Sequence, residues 1–169
     1  MVDNQFDNKF DDVTWHWEGD YPENLSKNNA YTHIAVLLNW AILRDMLSKT
    51  YVQSLSSQAQ KNLKDISNKK TTARPFLMDY CDGCLLSEFF TNEANCFLQA
   101  YYEKYYLDDF FRTYNNNYYG VANIKEVYDR IAVLLDERYA EWTSTGAFQE
   151  KKAKKTGGSL FQKFFGNRD

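Results

Sequence analysis

Between Tyr31 and Leu47 most positions are apolar, with Ile34, Val36, Leu37, Leu38, Trp40, Ala41, Ile42, Leu43, Met46 and Leu47 covering nearly the whole helical circumference at the start. A helix of about residues 30–49 that is apolar all round must be wrapped by others. Residues 54–68 reverse the proportion: Leu55, Ala59, Leu63 and Ile66 form a thin stripe on a polar surface, which predicts an outer helix. Thr91 is suited to cap a helix reaching about Tyr106, with Ala94, Phe97, Leu98, Tyr101, Tyr102 and Tyr105 on one face. A last helix opens on Asn123-x-x-Glu126, a capping-box-like pair, and carries Ile124, Val127, Ile131, Leu134, Leu135, Tyr139 and Trp142 to the core.

Before the first helix the period changes. Val13, Trp15 and Trp17 alternate with Thr14, His16 and Glu18, the period of two that marks an extended segment with one buried face. On that reading both indoles pack inward and His16 points out, free to bond the following turn through Asp20 or to face a partner. Gly19-Asp20-Tyr21-Pro22 ends the segment, because Pro22 forces Tyr21 out of helical geometry. Asp82-Gly83, between apolar stretches, predicts either a small hairpin or a loop entering a helix.

The expected architecture is mainly α, a single-domain bundle of about four to five helices with a short N-terminal extended segment and room for one hairpin. Residues 1–142 make up that domain, and 143–169 are expected to form a flexible basic linker and a Phe-rich tail of Leu160, Phe161, Phe164 and Phe165. The chain length of 169 residues fits one domain with a core of its own. Only 2 Pro and 7 Gly argue against a sandwich of short strands, which needs frequent turns. With 13 Tyr, 12 Phe and 4 Trp, many rings should lie at surfaces or clefts, since a tyrosine hydroxyl needs water or a partner.

Charge divides the chain. The net charge of −3 combines a basic end, six Lys and Arg against two acids over residues 150–169, with an acidic body. The acidic pole is the first 24 residues, where Asp3, Asp7, Asp11, Asp12, Glu18, Asp20 and Glu23 face only Lys9. Such a surface repels phosphate and argues against nucleic acid, while it attracts a basic protein. An odd number of cysteines, 3, and an opening "MVDNQFDNKF" without an apolar run point to the cytoplasm. The longest apolar run, 34–43, is too short to span a membrane.

Motifs for chemistry are sparse. Cys81-x-x-Cys84 lacks further thiol or imidazole ligands nearby and falls on a turn, so it reads as structural thiols rather than as a zinc or redox pair. Nucleophile elbows, metalloprotease helices and phosphate-binding glycine loops are all missing. No catalytic residue, cofactor or metal set is therefore assigned. His16 and His33 are the only histidines, and His33, one turn before Leu37, reads as a core or cap residue.

Residues 10–22, "FDDVTWHWEGDYP", resemble the pattern YDD-x-x-WH-x-G-D-[FY]-P that opens an uncharacterised family of small bacterial cytoplasmic proteins. Thr32-His33-Ile34 with Leu38-Asn39-Trp40-Ala41 is similar to that family's next helix, and Asp82-Gly83-Cys84-Leu85-Leu86-Ser87-Glu88 to a later segment, shifted by one residue. Asn95 to Tyr102 is similar to its N-x-F-x-x-x-YY helix. By analogy of size and build, such chains resemble immunity proteins encoded beside antibacterial toxins of type VI or contact-dependent systems. The implied role is to bind a cognate toxin. Asp11, Asp12, His16, Glu18 and Asp20, with Tyr105, Tyr106, Tyr114, Tyr118 and Tyr119, are the expected contact residues. Trp15, Trp17, Gly19, Pro22, His33, Trp40, Asp82 and Gly83 are the expected framework. Two rivals are a small enzyme using His16, His33 and carboxylates, and a membrane-peripheral adaptor working through the tail.

Overall fold

A computed structural model describes residues 9–115, 117 and 119–148. Tyr118 and the expected tail from residue 149 onward lie outside the described residues. The fold is mainly helical with one small antiparallel sheet, as the hydrophobic periods predict.

Strand β1 (Lys9–Asp12) leads into a single-turn helix α1 (Val13–Trp17) and, after an irregular segment, a 3₁₀ turn at Lys27–Ala30. Helix α2 (Tyr31–Leu43) follows, and every residue from Thr32 to Ile42 is buried, so it is the axis of the molecule. Short α3 (Lys49–Ser54), outer α4 (Ser57–Ser67) and α5 (Ala73–Tyr80) come next. Ala59, Leu63 and Ile66 of α4 are buried, three of the four expected stripe residues, while Leu55 closes α3 as its C-cap and is half-buried. Pro75 is tolerated in α5 because a first-turn N–H has no helical acceptor to lose.

Strand β2 (Cys84–Leu86) pairs antiparallel with β1, Asp11 opposite Leu85 and Asp12 opposite Cys84. The sheet therefore joins the N-terminus to the middle of the chain. Asp82-Gly83 does not close a hairpin of its own, because the residues before it are the last turns of α5.

Helix α6 (Asn92–Tyr101) is capped by Thr91, whose side chain accepts from the Ala94 N–H. It runs through a π-helical turn at Tyr102–Tyr106 into α7 (Leu107–Thr113). Tyr101 at the end of α6 and Tyr102 and Tyr106 of that wide turn are completely buried, each at 0% exposure; for Tyr101 and Tyr102 this is the packed face the spacing predicts, whereas Tyr106 is expected in an exposed tyrosine patch and is corrected to the core. Helix α8 (Lys125–Thr145) extends past the expected end at Trp142 and stops at Gly146 in the left-handed region, φ 71°. The expected capping box does not form there: the Asn123 side chain accepts from the Tyr128 hydroxyl instead. Nor is 143 a linker boundary, since Phe148 packs on Phe97, Tyr101 and Tyr105.

Candidate functional site

Residues 13–17 overturn the extended reading, and the site follows from that difference. Asp12 is extended, φ −149°, and its carboxylate accepts from the Thr14 N–H at 2.9 Å, capping α1. One helical turn reverses the faces that alternation implied. His16 goes inward at 2% exposure, while Trp15 and Trp17 are left half-buried at the boundary. The Trp17 indole N–H donates to the Lys27 carbonyl at 3.1 Å, tying α1 to the 3₁₀ turn.

Three separate elements then converge. Asp11 at the end of β1 is fully buried, as are His16 on α1 and His33 on α2. Asp11 Oδ1 lies 2.8 Å from His16 Nε2, and Asp11 Oδ2 lies 3.2 Å from His33 Nε2. The two Nε2 atoms are themselves 3.2 Å apart. Tyrosines close the cluster. Tyr102, on the first position of the π turn, donates its hydroxyl to Asp11 Oδ2. The Tyr119 hydroxyl is 3.0 Å from His16 Nδ1, and the Tyr106 hydroxyl donates to the His33 carbonyl at 2.5 Å.

Electrostatics make this a charged centre in the interior. Burial alone would raise the Asp11 carboxyl, but the His16 and His33 rings beside it prevail and hold it well below the usual carboxylate range. Burial and the neighbouring His16 ring lower His33, against the pull of Asp11. Tyr102 is pushed well up by burial and by the adjacent carboxylate, so its proton stays on. A carboxylate accepting from this many donors is fixed in orientation, and two imidazoles aimed at it offer a proton path or a ligand set.

Of the expected contact residues, Asp11, Asp12, His16, Tyr106 and Tyr119 lie in the interior and offer no docking surface. Tyr105 and Tyr114 are half-buried, Tyr105 against Phe148 and Tyr114 under Arg130. Among the described members of that set only Glu18 and Asp20 are exposed, in the loop that also carries Glu23. His16 does not bond Asp20; Asp11 and Tyr119 take its ring nitrogens. Within the expected framework, His33 is a core residue as read and Trp40 is buried, its indole N–H donating to Asp136 at 2.9 Å. Gly19 is exposed, Pro22 half-buried, Asp82 exposed with φ 51°, and Gly83 buried. The spacing of Tyr102 puts it on a helix face, yet its hydroxyl contact with Asp11 leaves no mark in the sequence.

Cys81 is buried, Cys84 half-buried and Cys96 exposed. Among the described residues no helix is long and apolar enough to cross a membrane. No curated protein and no solved structure matches the chain. The sequence model of one family, described as Domain of unknown function (DUF7832), matches residues 9–129, which span β1 through the first turns of α8 and include every member of the buried cluster. The chain belongs to that family.

Proposed function

We propose that the protein binds and neutralises a basic protein partner, a cognate antibacterial toxin, in the cytoplasm of the cell that makes it. The observation that carries this reading is the acidic loop between α1 and the 3₁₀ turn. Glu18, Asp20 and Glu23 are exposed on irregular backbone, and the loop is tied down at both ends. The Tyr21 hydroxyl donates to the Ser26 carbonyl at 2.6 Å, and the Tyr21 ring lies 4.5 Å from that of Tyr119. A fixed acidic loop steers a basic partner and loses little entropy on docking.

The test is a triple reversal, Glu18→Lys, Asp20→Lys and Glu23→Lys, which leaves every buried residue in place. Co-expression with the toxin encoded by the adjacent reading frame should show protection by the unmodified chain and its loss in the variant. A folded variant that still protects and still retains the toxin in a pull-down removes this loop as the interface. An adjacent frame whose product is harmless removes the role itself.

A further inference from the structure

We propose that Asp11, His16 and His33 form a binding site for one divalent transition-metal ion of zinc-like preference. This does not depend on toxin binding.

The three residues form a close triangle: Asp11 Oδ1 lies 2.8 Å from His16 Nε2, Asp11 Oδ2 lies 3.2 Å from His33 Nε2, and the two Nε2 atoms are 3.2 Å apart. Tetrahedral zinc with bonds of about 2.0–2.1 Å has ligand-to-ligand edges of about 3.3–3.4 Å, close to the 3.2 Å between the two Nε2 atoms, and the carboxylate places an oxygen beside each ring for an ion between them. Among the described residues this is the group of His, Cys, Asp and Glu whose ligand atoms approach closely enough, all within 4.8 Å of one another.

Hydrogen bonding alone serves the triangle poorly. If both imidazoles carry a proton on Nε2, two N–H groups face each other at 3.2 Å. If His16 Nε2 is bare, its lone pair abuts Asp11 Oδ1 at 2.8 Å. If His33 Nε2 is bare, its lone pair abuts Asp11 Oδ2 at 3.2 Å. A cation among the three accepts all these lone pairs at once. His33 Nδ1 lacks a partner with or without the ion, so that atom does not discriminate.

The outer shell is built around two of the three ligands, His16 and Asp11. Ligating imidazoles are oriented through their second nitrogen, and His16 Nδ1 is held by the Tyr119 hydroxyl at 3.0 Å. The carboxylate is held as well: the Asp12 N–H donates to Asp11 Oδ1 at 2.7 Å, and the Tyr102 hydroxyl donates to Oδ2. Two imidazole nitrogens and one carboxylate suit zinc and its first-row neighbours, whereas calcium and magnesium want six or more oxygens.

The full chain, stripped with chelator and reconstituted with zinc, should retain one zinc per chain after gel filtration, measured by plasma mass spectrometry. Zinc should raise the melting temperature and chelator should reverse the rise. Cobalt(II) should give the visible band of a tetrahedral site without a thiolate charge-transfer band. Asp11→Asn and His33→Gln should abolish retention in variants whose circular dichroism is native. Tyr119→Phe keeps all three ligands and should weaken affinity about 10–100-fold. Two results overturn the proposal: no retention and no thermal shift with zinc, cobalt(II), manganese(II) or iron(II), or retention that survives in folded Asp11→Asn and His33→Gln. Should those variants fail to fold, the cobalt spectrum of the unmodified chain decides, since a thiolate band would place the ion at Cys81 or Cys84 instead. These readouts involve no toxin, so they succeed or fail apart from the neutralising role.

Discussion

Arg138 on α8 and Asp109 on α7 face each other through two enclosed hydrogen bonds, Nε to Oδ2 at 2.7 Å and Nη2 to Oδ1 at 3.2 Å. Their exposures are 3% and 7%. The Tyr101 hydroxyl also donates to Oδ2 at 3.1 Å, and Glu141 accepts from Arg138 Nη1 at 2.9 Å. Removing one member strands a charge in the interior, so Asp109→Ala should cost about 3–5 kcal/mol in urea unfolding. Arg138→Met with Asp109→Leu should recover much of that loss. A single substitution costing less than about 1 kcal/mol would mean the pair is solvated in solution.

Gly83 should resist substitution for two reasons at once. Its φ is +73°, and a Cβ there would meet Val13 Cγ1 at 2.5 Å. Its carbonyl also accepts from the Val13 N–H at 3.1 Å, so α1 cannot simply move away. Gly83→Ala should destabilise by about 1–3 kcal/mol. Paired with Val13→Ala, which clears the clash, the combined loss should fall below the sum of the two single losses. Strict additivity in thermal melts would refute the contact.

Stability should fall in alkali. Burial pushes the Tyr128 phenol up to about 12, and burial with the Glu93 carboxylate does the same to Tyr139. An unfolded phenol ionises near about 10, so between those values the unfolded chain releases protons that the folded chain keeps. Alkali thus favours unfolding, with the contribution intact below pH 10 and lost as the pH approaches 12. Urea midpoints across that window should drop more steeply for the unmodified chain than for Tyr128→Phe, and equal slopes would contradict the assignment.

The three thiols should react in a fixed order. Cys96 is exposed on α6, whereas burial pushes the Cys81 thiol up to about 12 and leaves almost no thiolate near neutrality. Cys84 is half-buried, its Sγ 3.4 Å from Asp12 Oδ2. In native protein a disulfide reagent at pH 8 should modify Cys96 first and Cys81 only after denaturant is added, as peptide mapping would reveal. Early labelling of Cys81 would show that the turn after α5 opens.

The long elements were legible because each had enough turns to express a period. Helices α2, α4 and α6 bury most of the stripe that their sequences carry, and Thr91 caps where a threonine before a helix should; α8 buries Val127, Ile131 and Leu135 but leaves Leu134, Tyr139 and Trp142 half-buried and Ile124, just before it, 50% exposed. Five residues are too few for that test. Over Val13–Trp17 a strand's alternation and one helical turn place apolar residues equally well, and only the Asp12 cap decides between them. That one error turned His16 outward and hid the cluster. Burial of Asp11 and Asp12 is hidden for a related reason: composition counts charges without showing which ones pairing and packing enclose. Asp11 enters the interior because β1 pairs with β2, a contact across more than seventy residues that no local spacing records.

His16 and Tyr119, 103 positions apart, meet in one hydrogen bond, and Tyr102 reaches Asp11 across 91. Loop-closure entropy makes such contacts late to form, so the polar cluster cannot be assembled until β1, α2, the π turn and the segment after α7 are all in place. A chain cut short before Tyr119 carries the aspartate and both histidines yet lacks the hydroxyl that orients His16. Whatever depends on this cluster is therefore gated by completion of the fold, and its appearance during refolding should lag the burial of α2.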